Sequence, residues 1–494
     1  LTPTAASARH PAGLRTLFFT ELWERFSYYG MRALLVLYMV DAQSGLGLDD
    51  QTATAIYGLY TAAVYLVALP GGWIADRLLG AQQAIWYGGM IIAAGHFTLA
   101  VPSPLAFPLG LLLIVIGTGL LKPNISAVVG ELYARGDPRR DAGFTLFYMG
   151  INLGAFAGPL ICSALGESER FGWHYGFAAA GVGMVVGLLY FRARRDRLED
   201  AGRYPSLDVT VPAERAQIRA GWQRVALATA VLVIAALAVI LGWVRVDPLA
   251  AAQQTGIMIA AMAVLYFAWL FAFGRLTADE KRRVTVFIVL ISASAMFWAG
   301  FEQAGSSLNL FAERYTDRLI GGFEIPAGWF QSLNAGFVLA LAPVYASMWV
   351  ALARRNLDPS TPTKFAIGLI SLGLGFAVMI GAARLVAGGE QVLPTWLIFT
   401  YLLHTMGELA LSPVGLSATT RLAPHRYVGQ MMGIWFLATA LGNLLAGLIA
   451  GGFRHDALAD MAGLYTQIVL TTAGAGLILL LLVRPLKRLM GGAS

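Results

Sequence analysis

Four charged residues, Glu21, Glu24, Arg25 and Arg32, stand inside an apolar run from about Leu14 to Val40. With Tyr28 and Tyr29 they fall three, four, seven, eight and eleven positions after Glu21. At 3.6 residues per turn that spacing is one polar stripe along one helix. The other faces carry Leu22, Phe26, Met31, Leu34 and Leu35. Full charges cannot face lipid without a cost of several kcal/mol each, so in a spanning helix they must face protein or a watery cavity. Three more charges lie deep in apolar runs: Lys122 in TGLLKPNISAVVG, Glu302 in MFWAGFEQAG and Glu408 in HTMGELALSPVG. The set has four acids and three bases. A carboxylate in a low-dielectric cavity holds its proton more tightly, and a nearby cation loosens it. Moving a base such as Arg25 or Lys122 toward or away from an acid therefore switches its proton affinity, which is the chemistry of a proton-coupled carrier. Two blander readings stand beside it: static ion pairs that hold the fold together, and a short surface helix for the first stretch.

Composition says what must position these charges. Of 494 residues, 57% are hydrophobic and 13% charged, half the charge of a usual soluble domain. Mean hydropathy is +0.66. The 56 glycines suit helices that pack closely in lipid. The class is an all-α polytopic membrane protein; the apolar runs are too long and continuous for a β-barrel. Fourteen segments are long enough to span: Leu14–Val40, Thr52–Asp76, Gln83–Val101, Leu105–Leu132, Ala142–Leu165, Trp173–Phe191, Trp222–Trp243, Gln254–Phe273, Val284–Phe311, Ala327–Ala353, Thr363–Ala387, Pro394–Leu422, Tyr427–Gly452 and Met461–Val483. The thirteen residues before Leu14 have no apolar core of a signal peptide and read as a short tail.

With the N-terminus in the cytoplasm, alternation puts 26 Lys and Arg on the cytoplasmic side and 6 on the other, leaving Arg25, Arg32 and Lys122 in the membrane. Acids divide evenly. That is the positive-inside pattern, and it places both termini in the cytoplasm. The net charge of +7 thus reflects membrane orientation, not nucleic acid. The layout is an N-terminal six-helix bundle over residues 1–191, an Arg-rich cytoplasmic linker over 192–221, an inserted helix pair over 222–273 and a C-terminal six-helix bundle over 274–494. It resembles a major facilitator fold with an inserted hairpin. GGWIADRLLG, Gly71–Gly80, carries Asp76 and Arg77 at a helix end, where Asp76 can pair with a neighbouring helix end or arginine; it resembles the facilitator loop that latches one conformation, or is a plain charged turn. Pro123, after Lys122, cannot donate to the helix ladder and can leave a carbonyl free.

Other chemistries lack their residues. Cys162 is the single cysteine, no cluster has metal-ligand spacing, and there is no nucleotide-binding G-x-x-x-x-G-K-[ST] loop. No nucleophile stands beside a base, so no enzyme is expected. His96 and His404 read as hydrogen-bonded packing residues, with His404 one turn from Glu408.

The chain resembles the proton-dependent oligopeptide transporter family, the bacterial di- and tripeptide carriers. Its first-helix motif E-x-x-E-R-F-x-Y-Y-G is intact in Glu21, Glu24, Arg25, Phe26, Tyr28, Tyr29 and Gly30. The signature F-Y-x-x-I-N-x-G is met by Phe147, Tyr148, Ile151, Asn152 and Gly154. Lys122 before Pro-Asn, Glu302 in FWAGFEQ and Glu408 in GELALSPVGLS also fall on the family's functional charges. The resemblance implies a proton–peptide symporter of the bacterial inner membrane, working by alternating access, with no cofactor or metal and a monomer sufficient. It implies proton coupling through Glu21, Glu24 and Glu302, with Glu302 pairing alternately with Arg32 or Lys122. It implies a clamp for the peptide carboxylate in Arg25, Arg32 and Lys122, and one for the amino terminus in Asn152, Asn334 and Glu408. Tyr29, Tyr65, Trp298, Ser412 and Trp435 would line side-chain pockets. A carrier for another zwitterionic or anionic substrate, a peptide-like drug or nitrate, is the alternative.

Overall fold

The structure, a computed structural model, describes residues 9–134, 136–452 and 458–490. Arg135 and Arg454, counted in the charge asymmetry, lie outside these residues, as does most of the N-terminal tail. In chain order the helices are α1 (Ala12–Val40), α2 (Asp50–Leu66), α3 (Ala68–Ile74), α4 (Ala81–Leu99), α5 (Ala106–Glu131), α6 (Arg140–Gly166), α7 (Trp173–Arg194), α8 (Pro212–Ile240), α9 (Pro248–Phe273), α10 (Ala278–Phe301), α11 (Ser307–Tyr315), α12 (Ser332–Arg354), α13 (Thr361–Ala387), α14 (Thr395–Leu422), α15 (Val428–Ala450) and α16 (Leu458–Met490). A small hairpin, β1 (Leu319–Ile320) and β2 (Phe323–Glu324), interrupts the stretch between α11 and α12. Among the described residues, twelve helical segments are long and apolar enough to cross a membrane. Helices α1 and α4 join them in length, at 29 and 19 residues, but the charge row of α1 and Gln82, Gln83 and His96 of α4 lower their hydropathy. The fourteen crossings expected from the sequence are thus accounted for.

Two expected helices are broken. The second crossing stops as α2 at Leu66, four residues before Pro70, whose ring would strike the Leu66 carbonyl of a continuing helix. It resumes as α3 and ends in a π-helical turn, Ala75–Leu79, that carries Asp76 and Arg77. The crossing expected over Val284–Phe311 is interrupted by a 3-10 turn, Glu302–Gly305, so Glu302 lies at a break. Pro123, by contrast, sits inside an unbroken α5. The carbonyl it cannot engage, that of Gly119, abuts Gly71, where any Cβ would collide with it. A bare Cα is what lets α3 and α5 touch.

Packing groups the chain into two compact units: residues up to Met31 with Val67–Val246, and Arg32–Leu66 with the chain from Asp247 on. The first has a core of Leu14, Leu17, Ile85, Ile125, Met184 and Phe191 with their neighbours. In the second, Ala55 and Ala62 of α2, Ala252 and Ile259 of α9, and Leu437 and Leu444 of α15 share a cluster. Helix α8 begins at Pro212, a residue suited to a first turn, and so takes in ten residues of the polar stretch. What remains of that stretch is bound down within the first unit. Leu198 is buried. Gln82 Nε2 donates to the carbonyls of Glu199 and Ala201 at 3.2 and 2.8 Å. Arg195 Nε donates to Gln82 Oε1 at 2.8 Å, and the Gly202 N–H donates to Glu131 Oε2 at 2.7 Å. The Ser206 N–H reaches the Asp76 carbonyl at 2.7 Å.

Candidate functional site

In the first unit, the site is built on α1 and α6. Gly150, Gly154 and Gly158 recur every fourth residue on α6, and a Cβ at each would meet Phe18, the Leu22 carbonyl or the Phe26 carbonyl of α1. This glycine stripe seats α6 directly against the charged helix. Gly154 of the F-Y-x-x-I-N-x-G signature is thereby a packing residue, whereas Asn152, two positions away, gives its Nδ2 to the Tyr148 carbonyl at 2.9 Å. Glu21, Glu24 and Arg25 are buried together. Arg25 grips Glu24 through both Nε and Nη2, the latter at 2.7 Å, and its Nε lies 3.3 Å from Glu21 Oε1. The fork geometry suits a guanidinium and not an ammonium. The same guanidinium lies 5.0 Å from the Tyr28 ring centroid and 6.0 Å from that of Tyr29. Glu21 Oε2 is buried without a hydrogen-bond partner. Lys122, half-buried on α5, interacts electrostatically with Arg25, Tyr29, Glu24 and Glu21. One guanidinium thus holds two carboxylates, with one carboxylate oxygen still available to a proton.

In the second unit, Arg32 Nη2 pairs with Glu302 Oε2 at 2.6 Å, and both side chains are buried. The 3-10 turn presents Glu302 and is itself held by its neighbours. Gln303 Nε2 donates to the carbonyls of Ala299 and Ala446 at 3.2 and 3.0 Å, and Tyr401 Oη donates to the Ala304 carbonyl at 3.3 Å. Tyr57 lies under Arg32 at 5.8 Å, and its hydroxyl fills the space above Gly305. Two further ties, absent from the sequence-based list, continue past this pair. Asn309 Nδ2 donates to the Ala33 carbonyl at 2.9 Å. Arg314 Nη1 and Nη2 each meet an Asp50 carboxylate oxygen at 2.7 Å. Helix α11 is therefore tied to the end of α1 and the start of α2 by one amide and one bidentate ion pair. Replacing Asp50 with Asn is expected to lower stability by about 1–2 kcal/mol, read as a lower melting midpoint in detergent. The exchanged pair Asp50→Arg with Arg314→Asp should recover most of that loss, and an unchanged midpoint in both single variants would refute the tie.

The same unit holds Glu408 on α14. Its Oε2 accepts from Asn334 Nδ2 at 2.9 Å, and Asn334 Nδ2 also donates to Thr405 Oγ1 at 3.0 Å. Thr405 in turn donates to the Tyr401 carbonyl at 2.7 Å. The pairing of Asn334 with Glu408 is one the sequence could not specify. Trp298 packs edge-on against Phe297 and Phe301, with its Nε1 buried and unbonded. Trp435 lies over bare Gly415 and beside Phe365. Tyr65 packs against the α2–α9–α15 cluster, and Ser412 is half-buried beside Pro413 in an unbroken α14. His404 packs on Phe376, ring centroids 4.7 Å apart, and His96 is buried with neither ring nitrogen hydrogen-bonded. The hydrogen-bonded packing expected of His96 is therefore packing alone. Asp76 and Arg77 are exposed, and among the described residues their side chains make no hydrogen bond or ion pair; the partner expected for Asp76 is not there, and its backbone carbonyl serves instead. No group of three or more His, Cys, Asp or Glu able to hold a metal ion occurs among the described residues.

The profile of the POT family (PTR2) matches residues 82–463. The chain belongs to the POT family. Peptide transporter YePEPT of Yersinia enterocolitica subsp. palearctica is 44% identical over 98% of this chain and 96% of its own length. The di-/tripeptide transporter of Lactococcus lactis subsp. cremoris is 36% identical over 97% of both chains. A crystal structure of a POT peptide transporter in complex with sulfate superposes with a TM-score of 0.88 at 43% identity, covering 99% of this chain and 98% of that one. The major facilitator fold read from the sequence is the POT fold, and the protein is a multi-pass membrane transporter. In this POT chain, the motif residues on α1 fall into both units. Glu21, Glu24 and Arg25 form one charge cluster, and Arg32 joins Glu302 in the other.

Proposed function

We propose that this protein imports di- and tripeptides together with protons across the bacterial inner membrane, with both termini in the cytoplasm and one chain sufficient. The observation that carries the reading is the buried pair of Arg32 and Glu302 at 2.6 Å. A proton taken by Glu302 from outside cancels its charge, and Arg32 exchanges it for the carboxylate of a peptide. Loss of that proton to the cytoplasm lets the pair re-form and expels the peptide. Lys122 and Arg25 complete the cationic clamp, and Lys122 is the alternate partner of Glu302. Glu21 and Glu24 take part in the proton route. Asn152, Asn334 and Glu408 receive the peptide ammonium, with Glu408 as counter-charge. Tyr29, Tyr65, Trp298, Ser412 and Trp435 supply pocket walls whose contacts are mostly area, so many side chains are tolerated. Asp76 and Arg77 act as a conformational latch and Pro123 shapes α5 beside Lys122. The bundles are taken as 1–191 and 274–494, joined by the linker over 192–221 and the helix pair over 222–273. No cofactor is needed, because the gradient supplies the work.

The test is uptake of labelled dialanine into proteoliposomes with and without an inward proton gradient. Accumulation should collapse with an uncoupler and be competed by other di- and tripeptides, and poorly by free alanine. Folded protein that takes up no short peptide would move the clamp to another anionic or zwitterionic substrate.

A further inference from the structure

Helix α8 is twenty-nine residues long, yet none of its most apolar window is buried, so its body is left to lipid. Near its start, Gly221 allows it to approach the π-helical turn of the same unit: a Cβ there would stand 2.8 Å from Leu78 and 3.5 Å from Trp73. Beside that contact is a cavity of about 360 Å³, lined by Trp73, Arg77 and Leu78 on one wall and Gln217, Ala220 and Arg224 on the other. Ala216, Gln217, Ala220 and Arg224 follow helical spacing, so they form one face. Arg77 and Arg224 have no hydrogen-bond or ion-pair partner among the described residues, and the cavity contains no carboxylate. A larger cavity of about 1270 Å³ shares Leu78 with it, but there Arg192, Arg195 and Arg203 are balanced by Asp196, Glu199 and Asp208.

We propose that the small cavity is a binding site for the headgroup phosphate of an anionic phospholipid, such as phosphatidylglycerol, whose acyl chains run along the uncovered side of α8. Three features select this occupant. Two arginines meet no acid, so the site carries positive charge and offers planar donors to phosphate oxygens. Trp73 supplies an indole at the Arg-rich end of the bundle, where such rings settle at headgroup level. The apolar surface continuing up α8 is what acyl chains need and a free inorganic ion does not use.

The transporter is purified, delipidated and titrated with phosphatidylglycerol in detergent micelles, and bound lipid is counted by native mass spectrometry. Arg224→Gln is expected to weaken binding of one phosphatidylglycerol about fivefold, while Arg219→Gln on the same helix leaves it unchanged. Ala220→Trp, which keeps both charges and fills the space, should weaken it as well. Phosphatidylcholine should not compete, and inorganic phosphate at the same concentration should not displace the lipid. Equal retention of phosphatidylglycerol by the wild type and by a folded Arg224→Gln protein would overturn the site. So would displacement by inorganic phosphate, which would make it a simple anion site.

Discussion

Glu302→Gln is expected to abolish accumulation of dialanine against its gradient, so that the inside-to-outside ratio falls to about one, because nothing then couples peptide movement to the proton. The amide fills the same volume but neither ionises nor counters Arg32, from which Glu302 is separated by 2.6 Å. Arg32 then faces no Glu302 carboxylate at any stage, so exchange of labelled for unlabelled peptide across a membrane without a gradient should persist. The two assays separate loss of coupling from loss of binding. A Glu302→Gln protein that still concentrates peptide would remove Glu302 from the proton route.

Arg25→Met should be the more damaging change to the protein itself. Arg25 is the guanidinium that Glu24 grips on two sides and that Glu21 approaches at 3.3 Å. Deleting one partner of a buried pair costs about 3–5 kcal/mol, because a charge is left in low dielectric without a counter-charge. Two carboxylates would be left here with Lys122 as the cation still acting on them. The melting midpoint should fall steeply or the protein should fail to assemble. Adding Glu24→Gln removes one of the two stranded charges and should restore part of the loss, a coupling that a double-mutant cycle reads directly. Arg25→Lys should fall between, since an ammonium cannot reproduce the fork. Additive losses in the double variant would mean that Arg25 and Glu24 do not depend on each other.

The charged row was legible because charge in a long apolar run has so few permitted surroundings. Once Glu21, Glu24, Arg25 and Arg32 fell on one helical stripe, a buried network followed. Gly154 was legible as a motif residue but not as a cause, and Gly150 and Gly158 were not singled out; only their register against Phe18, Leu22 and Phe26 shows why the three recur every fourth residue. The break at Leu66 was written in Pro70 and could have been read. The break at Glu302 was not, since Gly300 and Gly305 flank it as glycines do throughout this chain. The pair of Asp50 and Arg314 had no signal at all. Each sits at the end of an apolar run, where a loop charge is ordinary, and 264 positions separate them. Aromatic roles are hidden for a different reason: whether Trp435 faces a cavity or covers Gly415 depends on a side-chain rotation that composition does not constrain.

The bound-down stretch from Arg195 to Ser206 changes where this gene can be cut in two. By composition any point between the sixth crossing and the inserted pair looks like slack chain. In the folded protein, Glu199, Ala201, Gly202 and Ser206 give backbone groups to Gln82, Glu131 and Asp76. Severing the chain among them would unfasten those ends together. Past Ser206 the chain crosses an exposed turn before α8 starts at Pro212. Fragments co-expressed from a break at Val209 should therefore assemble and copurify as an active transporter, whereas fragments from a break at Asp200 should not. Equal recovery from both breaks would show that the strap is dispensable.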